Sequence, residues 1–156
     1  MTNGPNMRGT RAVDLAVPFG IVAVTVYVLL RFSYDSLPTL QYAVPAPLAA
    51  LAVAELIAAR RVRAAVRHEP HARPMAAIVI ARCVALGKAS SLVGAGVAGA
   101  AAGLLGRVLP NAVDVAADAH DARVGGLLFG VCAVLVGAGL LLERAGVDPN
   151  GDHRKT

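Results

Sequence analysis

The stretch Val124–Leu142, VGGLLFGVCAVLVGAGLLL, decides the fold. It carries no charge and ends against Glu143 and Arg144. As a helix it covers close to 30 Å at about 1.5 Å per residue, the thickness of a bilayer's hydrocarbon core. The rest of the chain agrees with a membrane reading. Of its 156 residues, 56% are apolar, 16% charged and 4% aromatic, with a mean hydropathy of +0.62. Soluble domains average about 45 to 50% apolar and about 25% charged. The composition is neither polar, glycine-periodic nor cysteine-rich, which excludes disorder, collagen and a disulfide scaffold.

Three further runs resemble the first. Val13–Phe32 holds only Asp14 and Arg31, both at its ends, with Pro18 early in the helix. It is longer than a secretory signal and continues into Arg31-Phe32-Ser33-Tyr34-Asp35, which offers no small-residue cleavage site, so it is expected to be retained. Leu40–Ala59 contains Pro45 and Pro47, which either kink it or mark a later helix start. After Pro74 an apolar stretch continues to Gly106, roughly 50 Å of helix and too long for the hydrocarbon alone. Lys88 and Arg107 bracket its membrane section, leaving Met75–Leu86 at the cytoplasmic interface or in a protein-lined inset. The sequence predicts an all-α polytopic membrane protein, one domain over 1–156, with four transmembrane helices at 13–32, 40–59, 86–106 and 124–142. The third helix is long, and 1–10 and 148–156 read as disordered cytoplasmic tails.

Orientation follows from the basic residues of the short flanks. Arg8, Arg11, Arg60, Arg61, Arg63, Arg67, Arg73, Arg144, Arg154 and Lys155 fall on one side, and only Arg31, Arg107 and Arg123 on the other. Both termini are therefore expected in the cytoplasm of a cell whose plasma membrane the protein spans several times. The formal charge of +5 is then mostly a record of topology. No aromatic residues interleave the basic ones, which argues against nucleic acid.

The few polar residues within the apolar half carry whatever chemistry there is. Glu55 lies five residues before Arg60, about 7 to 8 Å inside the membrane end of its helix. An unpaired charge there costs on the order of 2.5 to 3.5 kcal/mol on insertion scales. Arg82, then Lys88, are the expected partners, with Ser90 and Ser91 completing a polar cluster. That cluster reads first as a pin between helices two and three, and alternatively as a site for a proton or an anionic solute. Lys88, Ser90 and Ser91 could together hold a phosphate or carboxylate, although membrane serines more often bond to backbone or to a neighbouring helix.

Arg60, Arg61, Arg63 and Arg67 form a basic continuation of helix two, expected to attract anionic lipids. His68, Glu69 and His71, with Pro70 between them, are poorly placed for a metal. Asp114, Asp118, His120 and Asp121 read as a solvated outer loop. Gly99 and Gly103 on the third helix, and Gly126 and Gly130 on the fourth, form small-residue stripes that let backbones approach closely. Packing of helix three on helix four is the favoured reading, and homo-oligomerisation through one stripe the alternative. Cys83 and Cys132 are expected to pack as small apolar residues. No nucleophile elbow, P-loop, dinucleotide fingerprint or zinc motif is present, so neither an enzyme nor a resident cofactor or metal is expected.

Ala81-Arg82, Lys88-Ala89-Ser90, Leu109-Pro110, Asp121-Ala122 and Leu142-Glu143-Arg144-Ala145 together resemble an actinobacterial family of small integral membrane proteins. The family is known as a domain of unknown function. The resemblance covers roughly residues 10 to 149 and implies four helices and gene neighbours in folate biosynthesis. Many relatives carry a cysteine after Glu-Arg-Ala, where this chain has Gly146. The functional expectation is a structural or accessory, non-enzymatic membrane protein. The alternative is a small transporter or transporter subunit using Glu55, Arg82 and Lys88.

Overall fold

The computed structural model describes residues 12–33, 41–67, 75–112 and 115–146. These form α1 (Ala12–Ser33), α2 (Ala46–Val66), α3 (Ala77–Val108) and α4 (Ala116–Ala145), with a 3-10 turn, Leu109–Asn111, closing α3. The tails at 1–10 and 148–156, the histidine pair at 68 and 71, and Asp114 lie outside the described residues.

Local chemistry sets the helix ends. Pro45 stands at the N-cap of α2 and Pro47 in its first turn, where a missing N–H costs nothing because those amides have no helical acceptor. Before it, Val44 N–H donates to the Gln41 carbonyl and Ala46 N–H to that of Ala43, each at 3.1 Å, so the chain turns where a helix from residue 40 was one expectation. Pro110 cannot continue the α3 hydrogen-bond ladder, and α3 tightens into the 3-10 turn there. Every helix has an arginine in its last turn (Arg31, Arg63, Arg107 and Arg144), which complements the negative end of the helix dipole.

The chain is all-α, and its third helix is the longest at 32 residues. α4 begins at Ala116, so Asp118, His120 and Asp121 sit on its opening turns and not in a loop. The segments of α1, α3 and α4 are each long and apolar enough to cross a membrane. α2 is not among them, because its helix starts at Ala46 and reaches Arg60 after fourteen residues, with Glu55 among those.

α3 is the hub: α1 packs on one of its faces and α4 on another, while α2 lies chiefly along α4 and only brushes α3. Phe19 of α1 meets Gly99 of α3, and Ala23 and Tyr27 meet Gly103, so α1 and α3 run parallel. Gly87 meets Gly139, and Gly125 meets Leu104, so α3 and α4 run antiparallel. The Tyr42 ring sits edge-on to His120 at 4.8 Å, and Ala59 and Val62 pack with Leu142 and Ala145, so α2 and α4 are parallel. Direction therefore reverses at each successive helix.

Small residues make up most of the interior, beside Val62, Leu104, Val108, Val124, Leu128, Leu135 and Leu142. Ala52, Ala59, Ala95, Ala98, Ala101, Ala138 and Ala145 are buried, as are Gly87, Gly94, Gly99, Gly103, Gly125 and Gly139. Large aliphatic and aromatic side chains point outward, among them Ile21, Val24 and Phe32 on α1, the last 83% exposed.

Candidate functional site

α2 turns one stripe toward the bundle: Ala52, Glu55, Ala59 and Val62, spaced three or four residues apart. Glu55 is thus held in the middle of a packed face, 1% exposed, and neither of its carboxylate oxygens has a hydrogen-bond partner. The Ser90 side chain on α3 reaches it. A hydroxyl has a single proton to donate, and that of Ser90 goes to the Leu86 carbonyl at 2.9 Å. Ser91 likewise donates to the Lys88 carbonyl at 2.9 Å.

The structure therefore corrects the expected ion pair. Arg82 and Lys88 share Glu55's half of the bundle, but both are exposed on α3. The face of α3 that meets its neighbours carries Gly87, Ser90, Ser91 and Gly94. Lys88 follows Gly87 by about 100° around the helix and points away from it. Of the five cluster residues, the structure brings Glu55 and Ser90 together and sets Ser91 one position further, in the crossing with α4. The contact between α2 and α3 is this approach of Ser90 to Glu55 and not an ion pair, and α2 packs mainly on α4. The anion site of Lys88, Ser90 and Ser91 is also absent as a unit: both hydroxyl protons are committed to backbone, and the ammonium lies on the outer face.

The small-residue stripes have different partners from those expected. A Cβ at Gly99 would strike the Phe19 backbone, and one at Gly103 would come within 2.6 Å of the Ala23 carbonyl and 3.0 Å of the Tyr27 amide. This stripe receives α1, not α4. The α3–α4 crossing is made by Gly87 and Gly139, where a Cβ on either would lie 2.5 to 2.6 Å from the other's carbonyl oxygen. Gly126 and Gly130 face outward, with nothing within 4 Å of an added Cβ. A Cβ at Gly146 would strike the Val84 side chain.

Cys132 is buried with Ala98, Ala101 and Leu128, and Cys83 is half-buried; both are free thiols. Asp118 and Asp121 are buried on α4 and each is engaged by a partner. Among the described residues no group of three or more His, Cys, Asp or Glu is placed to hold a metal.

Because α2 and α4 run parallel, their C-terminal ends meet, and Arg60, Arg63 and Arg67 join Arg144 around a cleft of about 710 Å³. Arg61 is exposed and outside its lining. The spacing of Arg60, Arg63 and Arg67 marks one helix face, but nothing in it announces Arg144.

A family model described as protein of unknown function (DUF3180) matches residues 15–149. This upholds the resemblance to a domain of unknown function read over nearly the same span. No curated protein and no solved structure matches the chain.

Proposed function

We propose, from the premise that the chain belongs to the DUF3180 family of proteins of unknown function, that it is a multi-pass plasma-membrane protein with four crossings and both termini cytoplasmic. Its role is structural or accessory, without catalysis of its own. The observation that carries this reading is the distribution of side-chain size. Alanine, glycine and serine make most of the close helix contacts, beside a few buried aliphatics such as Val62, Leu135 and Leu142, while Val13, Val17, Ile21, Val24, Leu29 and Phe32 of α1 face outward together with many large residues of the other helices. Water would oppose that arrangement. Lipid favours it, because helices in a bilayer associate through close backbone contact and leave their aliphatic side chains to the acyl chains.

Register supports a crossing by α2 despite its short apolar section. With its opening turn, α2 accompanies α4 from Tyr42 beside His120 to Val62 beside Leu142. That is roughly 33 Å of α4 at about 1.5 Å per residue, enough for the hydrocarbon core. The arginine-bearing ends of α2 and α4 lie at the same level as Met75, Ile80 and Cys83, and the positive-inside rule places that level in the cytoplasm. If the chain forms homo-oligomers, the outward Gly126 and Gly130 face is the surface open to a second copy.

Glu55 favours a second reading, a small transporter or transporter subunit for protons or an anionic solute, because an ionisable side chain buried in a membrane helix without a partner marks a functional position by default. Against it, Glu55 is sealed at 1% exposure. Flux in proteoliposomes decides between the two. The accessory reading expects wild type and Glu55→Gln to pass protons and anionic solutes, folate precursors included, no faster than empty vesicles. A wild-type flux that Glu55→Gln abolishes, in a protein that still folds, would establish the transporter.

A further inference from the structure

We infer that the cleft between the C-terminal ends of α2 and α4 is a binding site for a phospholipid whose headgroup carries two phosphates. The inference rests on the membrane placement proposed above and adds a ligand to it. Arg60, Arg63 and Arg67 recur every three or four residues on one face of α2, and Arg144 reaches the same space from α4. Among the described residues the lining holds these four guanidiniums and no carboxylate. Arginine presents a planar fork of donors suited to phosphate oxygens. Four such cations, with no counter-charge among the described residues of the lining, suit a ligand with more than one negative charge.

The remaining wall is apolar. Leu56 and Leu141 line the membrane-facing part of the cleft, one turn or less from Arg60 and Arg144 respectively. Charge at one end and aliphatic surface at the other fit an amphiphile whose acyl chains continue along the outer faces of α2 and α4. A free anion would use only the arginines. The cleft lies where the apolar stretch of α2 gives way to its arginines, at the depth of a headgroup. Basic pockets between membrane helices on the cytoplasmic side are a recurring form of such recognition.

The alternative is a diffuse basic surface, in which each arginine near the membrane contributes alike. Arg61 separates the two, since it neighbours Arg60 in sequence and stays outside the cleft. The full chain in neutral detergent, titrated with cardiolipin, phosphatidylglycerol or phosphatidylcholine and read by native mass spectrometry, provides the test. The site predicts that cardiolipin is retained in preference to phosphatidylglycerol, and phosphatidylcholine least. It also predicts that Arg63→Gln and Arg144→Gln each weaken cardiolipin retention about fivefold, and Arg61→Gln less than about twofold.

Equal losses for Arg61→Gln and Arg63→Gln would overturn the site in favour of diffuse attraction. Displacement of cardiolipin by an equal concentration of inorganic pyrophosphate would overturn it in favour of a soluble anion. Equal retention of the three lipids would overturn it outright. Extraction of cell membranes with alkaline carbonate keeps the two levels apart: release of the protein refutes the membrane placement, whereas a protein that stays in the membrane yet ignores cardiolipin refutes the lipid site alone.

Discussion

Gly139→Leu is expected to leave no monodisperse protein after detergent extraction. At this position an added Cβ lies 2.5 Å from the Gly87 carbonyl oxygen, 3.1 Å from the Ser91 amide and 3.2 Å from the Ser91 Cβ. Two of these three neighbours are backbone atoms of α3, which cannot rotate out of the way. A whole leucine side chain has nowhere to go unless the helices part. Overpacking a core that can adjust costs about 1 to 3 kcal/mol. Here adjustment means opening the central crossing of the bundle, so the cost exceeds about 3 kcal/mol on the same scale. Opening would also expose Leu135, Leu142 and Cys132, which are now almost wholly buried. Size-exclusion chromatography and a thermal aggregation midpoint read the outcome. A Gly139→Leu protein with the parent's profile would mean that α3 and α4 do not cross there.

Gly99→Leu is expected to detach α1 while the other three helices stay together. Among the described side chains of α1 none is fully buried, and its packing runs through Phe19, Ala23 and Tyr27 against Gly99 and Gly103. Leucine at Gly99 would strike the Phe19 backbone and push that seam apart. An engineered pair reports on the seam directly. Val22 Cγ2 approaches the Cβ position of Gly96 to 4.0 Å, so the side chains of Val22→Cys and Gly96→Cys would face each other across the seam. Mild oxidation should cross-link the pair in the parent background and fail to do so beside Gly99→Leu. Gly126→Leu is the matched control, because nothing lies within 4 Å of its Cβ position; its cross-link should form as in the parent. Cross-linking that survives Gly99→Leu and is lost with Gly126→Leu would reverse the roles assigned to the two stripes.

Axial information was legible in the sequence, and azimuthal information was not. Charges at Arg31, Arg107 and Arg144 sit close to the helix ends that they were expected to flank, and the continuation of α2 through Arg63 followed from spacing. The long third helix was equally plain, since Pro74 and Pro110 leave nothing between them to stop it. Which way a membrane helix faces is harder to read, because lipid and protein interior are both apolar and no polar side marks the outside. Gly99 and Gly103 therefore announced a close approach without saying that the approaching helix was α1. The same limit assigned Glu55 the wrong partners, although it does face the bundle. Its distance from Arg60 fixed its depth, and Arg82 and Lys88 were near that depth, but their direction around α3 takes them to the opposite face. Arg144 was counted only as a topological charge, since its meeting with Arg63 depends on α2 packing along α4.

The crossing by α2 is the step on which the four-span account depends, and sidedness of labelling across it is the direct measurement. In a Cys83→Ala, Cys132→Ala background, Gln41→Cys and Ala76→Cys flank α2 in sequence, and Asn111→Cys marks the far end of α3. A membrane-impermeant maleimide applied to intact cells should label Gln41→Cys and Asn111→Cys, and should reach Ala76→Cys only after the cells are opened. Labelling of Gln41→Cys and Ala76→Cys from the same face would contradict the account, because α2 would then lie against the membrane without crossing it.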